Sequence, residues 1–338
     1  MNPDWKNHLR AAGAVLDNEA VLHFGDPSAG ANAARNGCVI ADLSHYGVIG
    51  FAGEDAQTFL QGQLTCDVRL VTPQQAQFGS LCSAKGRMLA TFLLWRRNGD
   101  IFMELPAASR ECVQKHLSKY VLRAKVKVRD ASDEFVRLGV AGMAAPGVLA
   151  RIFGAPPPAP HGAQQGESGT LIALPGGRYE IVASPEQAAA LWDELRQDCT
   201  PAGASCWDWL ALRAGIPAIL PATQEQFTPQ MANLELLGGV SFTKGCYTGQ
   251  EVVARTQYLG KVKRRLYLAH IPGDAAPQPG DALAGTEHGM IVNAAAAPSG
   301  GYDVLAVMPM EDAEAGQVRW KSAAGALLQL LPMPYAVS

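Results

Sequence analysis

The octapeptide KGCYTGQE, residues 244–251, combines a cysteine, a lysine and two glycines in one short stretch. Thr248 and Glu251 have the spacing of a capping box, which predicts that a helix begins at Thr248. Cys246 would then lie just before a helix N-terminus, where unpaired N–H groups and the nearby Lys244 favour the thiolate form. The pattern predicts a nucleophilic or metal-accepting thiol at Cys246, with a buried structural thiol as the alternative.

Composition narrows the classes of protein that need to be considered. The chain has 338 residues, 48% of them apolar, and this length suggests two or three domains. Its net charge of -3 gives no global attraction to nucleic acid or anionic membranes, so a polyanion site would have to be a local patch. No signal-peptide pattern and no membrane-spanning apolar run is evident, which predicts a cytoplasmic location without membrane contact.

Cysteine and histidine spacing gives no support for a metal centre. There are seven cysteines and seven histidines, but no C-x-x-C and no H-E-x-x-H pattern. The sequence therefore predicts neither a disulfide framework nor a dedicated metal site.

The periodicity of the chain predicts an α+β fold. Two apolar runs, residues 88–95 and 101–105, are joined through Asn98-Gly99 and predict a hairpin. A proline-rich stretch at residues 144–169 predicts a connector or long loop. Residues after Lys261 are rich in strand patterns separated by Pro and Gly, which suggests a small C-terminal β-barrel.

Two basic clusters are candidates for a polyanion site. Lys261, Lys263, Arg264 and Arg265 form one, and residues 119–129 contain the other. Either could bind RNA phosphates or an acidic tail, although a solvated strand face is the simpler explanation for each, and direct binding of nucleic acid is not expected. No dinucleotide or P-loop pattern is present.

The octapeptide belongs to a longer pattern that resembles a known family. Residues 244–255, KGCYTGQEVVAR, with residues 227–242 before them, resemble the signature of the YgfZ proteins, folate-binding relatives of the glycine-cleavage T-protein that assist iron–sulfur cluster assembly or repair. Segments that resemble the same family in the same order are residues 42–68, 84–92, 119–128, 212–219 and 257–266. Such an ordered set is more specific than one short motif.

The resemblance implies three domains arranged like a clover leaf around a central tetrahydrofolate cavity, with a C-terminal β-barrel. The expected domains are residues 1–129, completed by residues 201–260, then residues 130–200 and residues 261–338. It also implies that Cys246 is the functional thiol, at the rim of the cavity, with Lys244 beside it.

Aromatic side chains near the first strand and at the start of a later helix contact the folate ring system in this family. The side chains expected to bind folate or to shape the loop that contains Cys246 are Tyr46, Trp207, Tyr247, Gln250, Glu251 and Arg255. Trp209 is an alternative to Trp207 for the contact with the ring system, and Lys263 is an alternative to Arg255 for binding the anionic glutamate tail.

One departure from the T-protein bears on the reaction. The acidic pair that serves aminomethyl transfer in the T-protein is replaced by Ala90 and Thr91. Without this carboxylate the transfer loses its acid/base or electrostatic partner. We therefore expect a tetrahydrofolate-binding accessory protein for iron–sulfur client or assembly proteins, including tRNA-modifying enzymes. The alternatives are a folate-dependent one-carbon transferase, an RNA-binding module and a thiol redox enzyme, and whether the chain is itself an enzyme stays open.

Overall fold

The computed structural model describes residues 1–337, apart from the side chains of Pro27, Ser28 and Asn36. Its α-helices are α1 Pro3–Ala11, α2 Pro27–Asn36, α3 Ala56–Gln61, α4 Ala107–Ser118, α5 Ala145–Phe153, α6 Pro185–Leu195, α7 Ala204–Arg213, α8 Gln250–Tyr258 and α9 Met310–Ala315. Its strands are β1 Val15–Asp17, β2 Ala20–His23, β3 Cys38–Asp42, β4 Tyr46–Ala52, β5 Gln77–Cys82, β6 Met88–Arg97, β7 Asp100–Pro106, β8 Lys127–Asp130, β9 Val136–Gly142, β10 Ala163–Gly166, β11 Gly169–Leu174, β12 Arg178–Ala183, β13 Thr200–Ala202, β14 Arg264–Ile271, β15 Leu283–Ala284, β16 Met290–Ala296, β17 Tyr302–Pro309, β18 Arg319–Trp320 and β19 Gln329–Leu331.

Two large sheets form the centre of the fold. One has five strands in the order β5-β6-β7-β4-β8, and the other has six in the order β10-β11-β12-β9-β3-β13. The predicted hairpin is confirmed: β6 and β7 pair in antiparallel fashion, and Asn98 and Gly99 have the positive φ angles, 52° and 89°, that such a tight turn requires. Neighbouring strands are antiparallel except β3 and β13, which are parallel.

The inner faces of these sheets pack against each other. One apolar cluster contains Val48 and Trp95 from the five-stranded sheet and Ile172 and Val182 from the six-stranded sheet. Helices α3 and α4 cover the outer face of the five-stranded sheet, and α1, α5 and α6 cover that of the six-stranded sheet. Because both faces of each sheet are covered, a charged side chain on an inner face must find its partners inside the protein.

The C-terminal strands form a separate sheet in the order β16-β17-β14-β19, and β15 pairs with β18. Its pairings within residues 1–337 do not close on themselves, so the predicted β-barrel is not seen among them. One apolar cluster joins this sheet to the segment around Ile219 and Leu234 and to Met88 of β6. The sheet is thereby fixed to the rest of the chain beside β6.

The mixed helices and sheets agree with the predicted α+β class, whereas the domain bounds stay a prediction. Strand β3 lies within the predicted first domain, but it pairs with β9, which follows the expected boundary at residue 129. None of the helices in the described part of the chain is long and apolar enough to span a bilayer.

Candidate functional site

A cavity lies between the inner faces of the two large sheets. It contains about 630 Å³ of empty space, including the solvent at its mouth. Tyr46 of β4 and Trp207 of α7, both predicted from the sequence to contact a ligand, line this one cavity. A second pocket of about 770 Å³ shares Tyr46, Ala211 and Ile216 with it, so the two spaces adjoin.

Buried charges distinguish this cavity from an ordinary apolar core. Glu104 of β7 and Arg178 and Glu180 of β12 line it, and Arg137 of β9 contacts Glu104 from behind. All four are at most 7% exposed. Side chains alternate along a strand, so residues 178 and 180 face the inner layer while residues 179 and 181 pack under the outer helices.

One guanidinium joins the two sheets through this cluster. Arg137 Nη1 donates to Glu104 Oε2 at 2.9 Å, and its Nη2 donates to the carbonyl oxygen of Tyr46 at 2.6 Å. Arg137 lies on the six-stranded sheet, while Glu104 and Tyr46 lie on the five-stranded sheet. The ion pair therefore fixes the spacing of the cavity walls.

Glu180 is one of two members of the cluster, with Arg137, that have a buried side-chain atom without a hydrogen-bond partner among the described residues. Burial raises its pKa well above the usual glutamate range, and the neighbouring Glu104 carboxyl raises the pKa further. Its Oε1 atom is buried and has no hydrogen-bond partner within the described residues. A buried polar atom without a partner costs free energy, so this carboxyl is ready to bind a hydrogen-bonding ligand.

Arg178 and Trp207 form a cation–π pair in the same cavity. The Arg178 guanidinium lies 5.0 Å from the centroid of the Trp207 ring, and burial lowers the pKa of Arg178 to about 10. Trp207 is only 3% exposed. A Cβ at Gly139 of β9 would lie 2.7 Å from the indole, so this position leaves room only for glycine. A ligand could therefore stack on the indole face only by displacing Arg178. Without that displacement, it would contact the edge of the ring.

Tyr46 connects the cavity to the adjoining pocket. Its hydroxyl donates to Asp208 Oδ1 at 3.1 Å, and His45 Nε2 lies 3.2 Å from the same oxygen. Burial raises the pKa of Tyr46 well above the usual tyrosine range, and the Asp208 carboxylate raises it further. Tyr46 is therefore a neutral hydrogen-bonding aromatic group at this boundary.

Thr91 is one of the two residues that are expected to replace the acidic pair of the T-protein. It lines the cavity, but its hydroxyl donates to Pro217 O at 2.9 Å and accepts from Ile219 N at 3.0 Å. The side chain thus holds the segment that follows α7. The carboxyl groups of this cavity come instead from β7 and β12.

The motif that contains Cys246 is a surface loop that leads into α8. Cys246 is exposed, and the helix begins at Gln250 with Gly249 in the N-cap position and no side-chain cap. The predicted capping box of Thr248 and Glu251 is therefore wrong. Gly249 adopts φ 83°, and a Cβ there would lie 2.5 Å from Ser83 O, so close contact with the turn before β6 decides where the helix begins.

Lys244 points away from the exposed surface into the protein. Its Nζ donates to Leu64 O at 2.6 Å and to Cys66 O at 2.8 Å, and the side chain is 5% exposed. Burial lowers the pKa of Lys244 to about 8. The ammonium group anchors the cysteine loop to the chain segment after α3, and its predicted catalytic role stays a prediction.

The cysteine loop lies one layer of side chains behind the cavity wall. No residue of the stretch 244–251 is among those that line the cavity. Lys244 binds the backbone of Cys66, and Cys66 Sγ and the ring of Phe92 would both lie 2.7 Å from a Cβ on Gly79. Phe92 itself lines the cavity. These contacts join the loop to the wall of the cavity. The predicted position of Cys246 at the rim of the cavity stays a prediction.

The other predicted residues around the motif have separate surroundings. Tyr247 is buried, and the Lys244 ammonium lies 5.1 Å from its ring centroid. Gln250 is half-buried, and Glu251 and Arg255 are exposed on α8. None of these four lines the cavity or the adjoining pocket.

The two alternative residues also lie elsewhere. The alternative stacking residue, Trp209, donates its Nε1–H to Asp303 Oδ2 at 2.8 Å and does not line the cavity. Lys263 is exposed just before β14 and lines neither the cavity nor the adjoining pocket.

Metal-ligating side chains do not converge within residues 1–337 into a group of three that could hold a metal ion. All seven cysteines are free thiols, and only Cys112 and Cys246 of them are exposed. The thiols of Cys38 and Cys199 contact each other at 2.6 Å inside the protein. A metal or cluster at Cys246 would therefore need ligands from outside this part of the chain.

Comparison with known proteins identifies the class of the fold. The GCVT N-terminal domain family matches residues 23–158. The glycine cleavage system aminomethyltransferase T from Bartonella henselae has the same fold, with a TM-score of 0.77 over 98% of this chain and 96% of that chain at 18% identity. The molecule is thus a protein of the glycine-cleavage T-protein fold.

A closer relative identifies the family. The tRNA-modifying protein YgfZ of Klebsiella pneumoniae (strain 342) is 34% identical over 259 residues, which are 76% of this chain and 79% of the relative. The chain belongs to the YgfZ family.

Proposed function

We propose that this protein binds tetrahydrofolate or a derivative in the cavity between the two sheets. The observation that carries the proposal is the buried Glu180 carboxyl, which has an unpartnered oxygen in a cavity that also contains aromatic side chains. A pterin presents an N–H and an amino group side by side, and a carboxyl can accept from both. Tyr46 and the edge of Trp207 would contact the flat ring.

The adjoining pocket gives the rest of such a ligand a place to extend. It begins at Tyr46 and continues past Asp208 toward Asn293 of β16. The folate would supply one-carbon chemistry when bound, and the residues of this chain would bind and orient it. Arg255 or Lys263 would bind the glutamate tail only if the tail reached the protein surface.

We propose that this folate-binding protein is an accessory protein for the assembly, maintenance or repair of iron–sulfur clusters in client enzymes, including tRNA-modifying ones. Cys246 would be its reacting group. The Klebsiella relative is named as a tRNA-modifying protein, and this supports the proposal. Cys246 is exposed on a loop held by buried Lys244, so a partner protein or its cluster can reach the thiol.

Folate binding is tested by calorimetric titration of tetrahydrofolate into the full chain and its variants. Glu180→Ala should weaken binding by about tenfold or more, because it removes the acceptor for two N–H donors. Cys246→Ala should leave the affinity unchanged. Equal affinity in Glu180→Ala and wild type would contradict the proposed orientation, and no binding to wild type would contradict the ligand.

The role of the thiol is tested in cells that lack their own copy of the gene. Complementation with Cys246→Ser should give low activity of iron–sulfur tRNA-modifying enzymes, whereas Cys112→Ser should restore normal activity. Cys112 is a matched control because it is the other exposed cysteine of the seven. Normal activity with Cys246→Ser would refute the cluster role.

A one-carbon transferase is the second candidate, because the structure supplies carboxyls that Ala90 and Thr91 lack. Glu104 and Glu180 both line the cavity, and the raised pKa of Glu180 suits a general acid. Turnover of a folate one-carbon adduct by the isolated protein, lost in Glu180→Gln, would favour this function over an accessory role.

A further inference from the structure

A second concave surface lies next to the loop that contains Cys246, on the outside of the protein. It encloses about 1160 Å³ of empty space, open solvent included, between the turn before β6 and the first strand of the C-terminal sheet. We call it the cationic cleft. Its charged and titratable lining side chains are Lys85, Arg87, Glu225, Arg264 and His288.

Positive charge exceeds negative charge in the cationic cleft. Lys85, Arg87 and Arg264 are opposed only by Glu225 among its lining residues. Within residues 1–337, no carboxylate forms an ion pair with any of the three cations. Arg87 donates to the carbonyl oxygen of Gln226 at 2.6 Å, which holds one guanidinium at the wall of the cleft.

The two guanidinium groups act on each other across this space. Partial burial lowers the pKa of Arg264, and the charge of Arg87 lowers it further, so the groups are close enough to repel each other. Repulsion between like charges that have no carboxylate partner is relieved when an anion binds between them. The whole chain is acidic, with a net charge of -3, so this cationic surface is a local segregation of charge.

Phosphate fits these charges better than a single carboxylate does. Three cations and one glutamate leave an excess of two positive charges when His288 is neutral. A phosphate group carries up to two negative charges and several acceptor oxygens, and planar guanidinium groups bind such oxygens in pairs. A carboxylate offers one charge and two oxygens, which would leave donors of the cleft unused.

The cleft is tied to the cysteine loop by two glycines. A Cβ at Gly86, between Lys85 and Arg87, would lie 2.8 Å from Val252 Cβ and 3.1 Å from Gly249 O. The turn with the cleft cations therefore packs directly on the first turn of α8. A ligand held in the cleft would lie on the part of the surface that also carries the exposed thiol loop.

We propose that the cationic cleft is a binding site for the phosphate groups of a ligand, separate from the cavity between the sheets. The phosphate would contact Arg264 and Arg87, with Lys85 at the outer edge. The site is independent of folate binding, because its lining and that of the cavity have no residue in common.

The test uses the full-length protein and two phosphate probes at low ionic strength. Calorimetry with pyrophosphate should give saturable binding to wild type that is about tenfold weaker in Arg264→Gln, because the variant loses a charged bidentate donor. Lys85→Gln should also weaken binding. Lys127→Gln, which removes an exposed cation of β8 outside the cleft, should bind as wild type does.

The second probe separates the two sources of phosphate. A short single-stranded RNA that competes with pyrophosphate, with affinity that falls steeply with salt, would assign the cleft to a phosphodiester chain. Pyrophosphate binding without RNA binding would assign it to a small phosphorylated ligand. The proposal is overturned if neither probe binds, or if Arg264→Gln and Lys85→Gln both bind pyrophosphate as tightly as Lys127→Gln does.

Discussion

The cavity between the sheets and the loop that contains Cys246 differ in nearly every physical property. The cavity is built from strands of two sheets, and its polar side chains are buried and hold one another in place. The loop is a surface segment whose thiol is exposed and whose single buried charge, on Lys244, binds backbone carbonyl groups. The first arrangement suits selective binding of a small molecule, and the second suits reaction with a large partner.

This contrast suggests that binding and reaction are separate tasks in this fold. A buried carboxyl with an unpartnered oxygen recognises hydrogen-bond donors, but it cannot reach a second protein. An exposed thiol can reach another protein, but it encloses no ligand. Contacts through Cys66 and Phe92 join the two regions, so a change in one can be tested for its effect on the other.

The largest expected effect comes from breaking the ion pair behind the cavity. Arg137→Met should lower the free energy of unfolding by about 3–5 kcal/mol, because it leaves the buried Glu104 carboxylate without its partner. Urea denaturation measures this change. Arg151→Met is the control, since Arg151 forms its ion pair with Asp198 at the surface and its loss should change stability little. Equal effects of the two substitutions would show that the cavity charges do not hold the sheets together.

The next largest effect concerns the anchor of the cysteine loop. Lys244→Met should lower the free energy of unfolding by about 2 kcal/mol, because Leu64 O and Cys66 O lose their donor. Urea denaturation again measures the change, with Lys127→Met as the exposed control. The affinity for tetrahydrofolate should change less than twofold. Unchanged stability in Lys244→Met would mean that the buried ammonium does not anchor the loop.

The pH dependence of Lys244 has a definite sign. Its pKa in the folded protein is about 8, below the usual lysine value, so between these two values the unfolded chain binds more protons. The contribution of this lysine to stability therefore increases as pH rises through about 8. Lys244→Met should lack this increase.

The sequence predicted the loop better than it predicted the cavity, for a physical reason. Cys246, Lys244 and the two glycines lie within eight residues, so a local pattern reveals them. The cavity charges come from β7, β9 and β12, and sequence spacing cannot show that these strands face each other. The start of α8 was also predicted wrongly, because contact with the turn at Ser83 selects Gly249 over a local cap at Thr248.

Glu180 was not among the residues that the sequence predicted for the site. Residues 178–183 alternate between polar and apolar side chains at first, and this pattern is typical of a strand with one face in water. In the structure that polar face is turned inward, toward the second sheet. A signal did exist: a strand between apolar segments that carries both an arginine and a glutamate on one face needs either solvent or a polar ligand.

A smaller effect is expected from the titration of Glu180. The pKa of its carboxyl is raised in the free protein, and two N–H donors of a pterin would favour the charged form. Affinity for tetrahydrofolate should therefore rise with pH, up to about tenfold per unit, until the raised pKa of the free protein is passed. Calorimetry in buffers of different ionisation enthalpy should also detect proton release.

Two variants sharpen this test. Glu180→Gln should bind folate more weakly and without this pH dependence, whereas Glu167→Gln, at an exposed position, should behave as wild type does. The contribution of Glu180 to the free energy of unfolding should fall as pH rises, whereas the affinity for tetrahydrofolate should increase. A raised pKa in the folded state contributes stability below the usual glutamate pKa, and this stability is lost as pH rises through the raised value. Affinity that is flat with pH in wild type would remove Glu180 from the ligand contact.

The smallest effect on stability is expected at Cys246, the proposed reacting group. Cys246→Ser should change the free energy of unfolding by less than about 0.5 kcal/mol, because the thiol is exposed. Cys66→Ser should be clearly destabilising, since that thiol is buried and its pKa is raised to about 12. Rapid labelling of the native protein should count two thiols in wild type and one in Cys246→Ser. A large loss of stability in Cys246→Ser would show that the loop needs this side chain for folding. A loss of function in this variant could then no longer be assigned to reaction at the thiol, and the proposed division between a binding cavity and a reacting loop would lose its support.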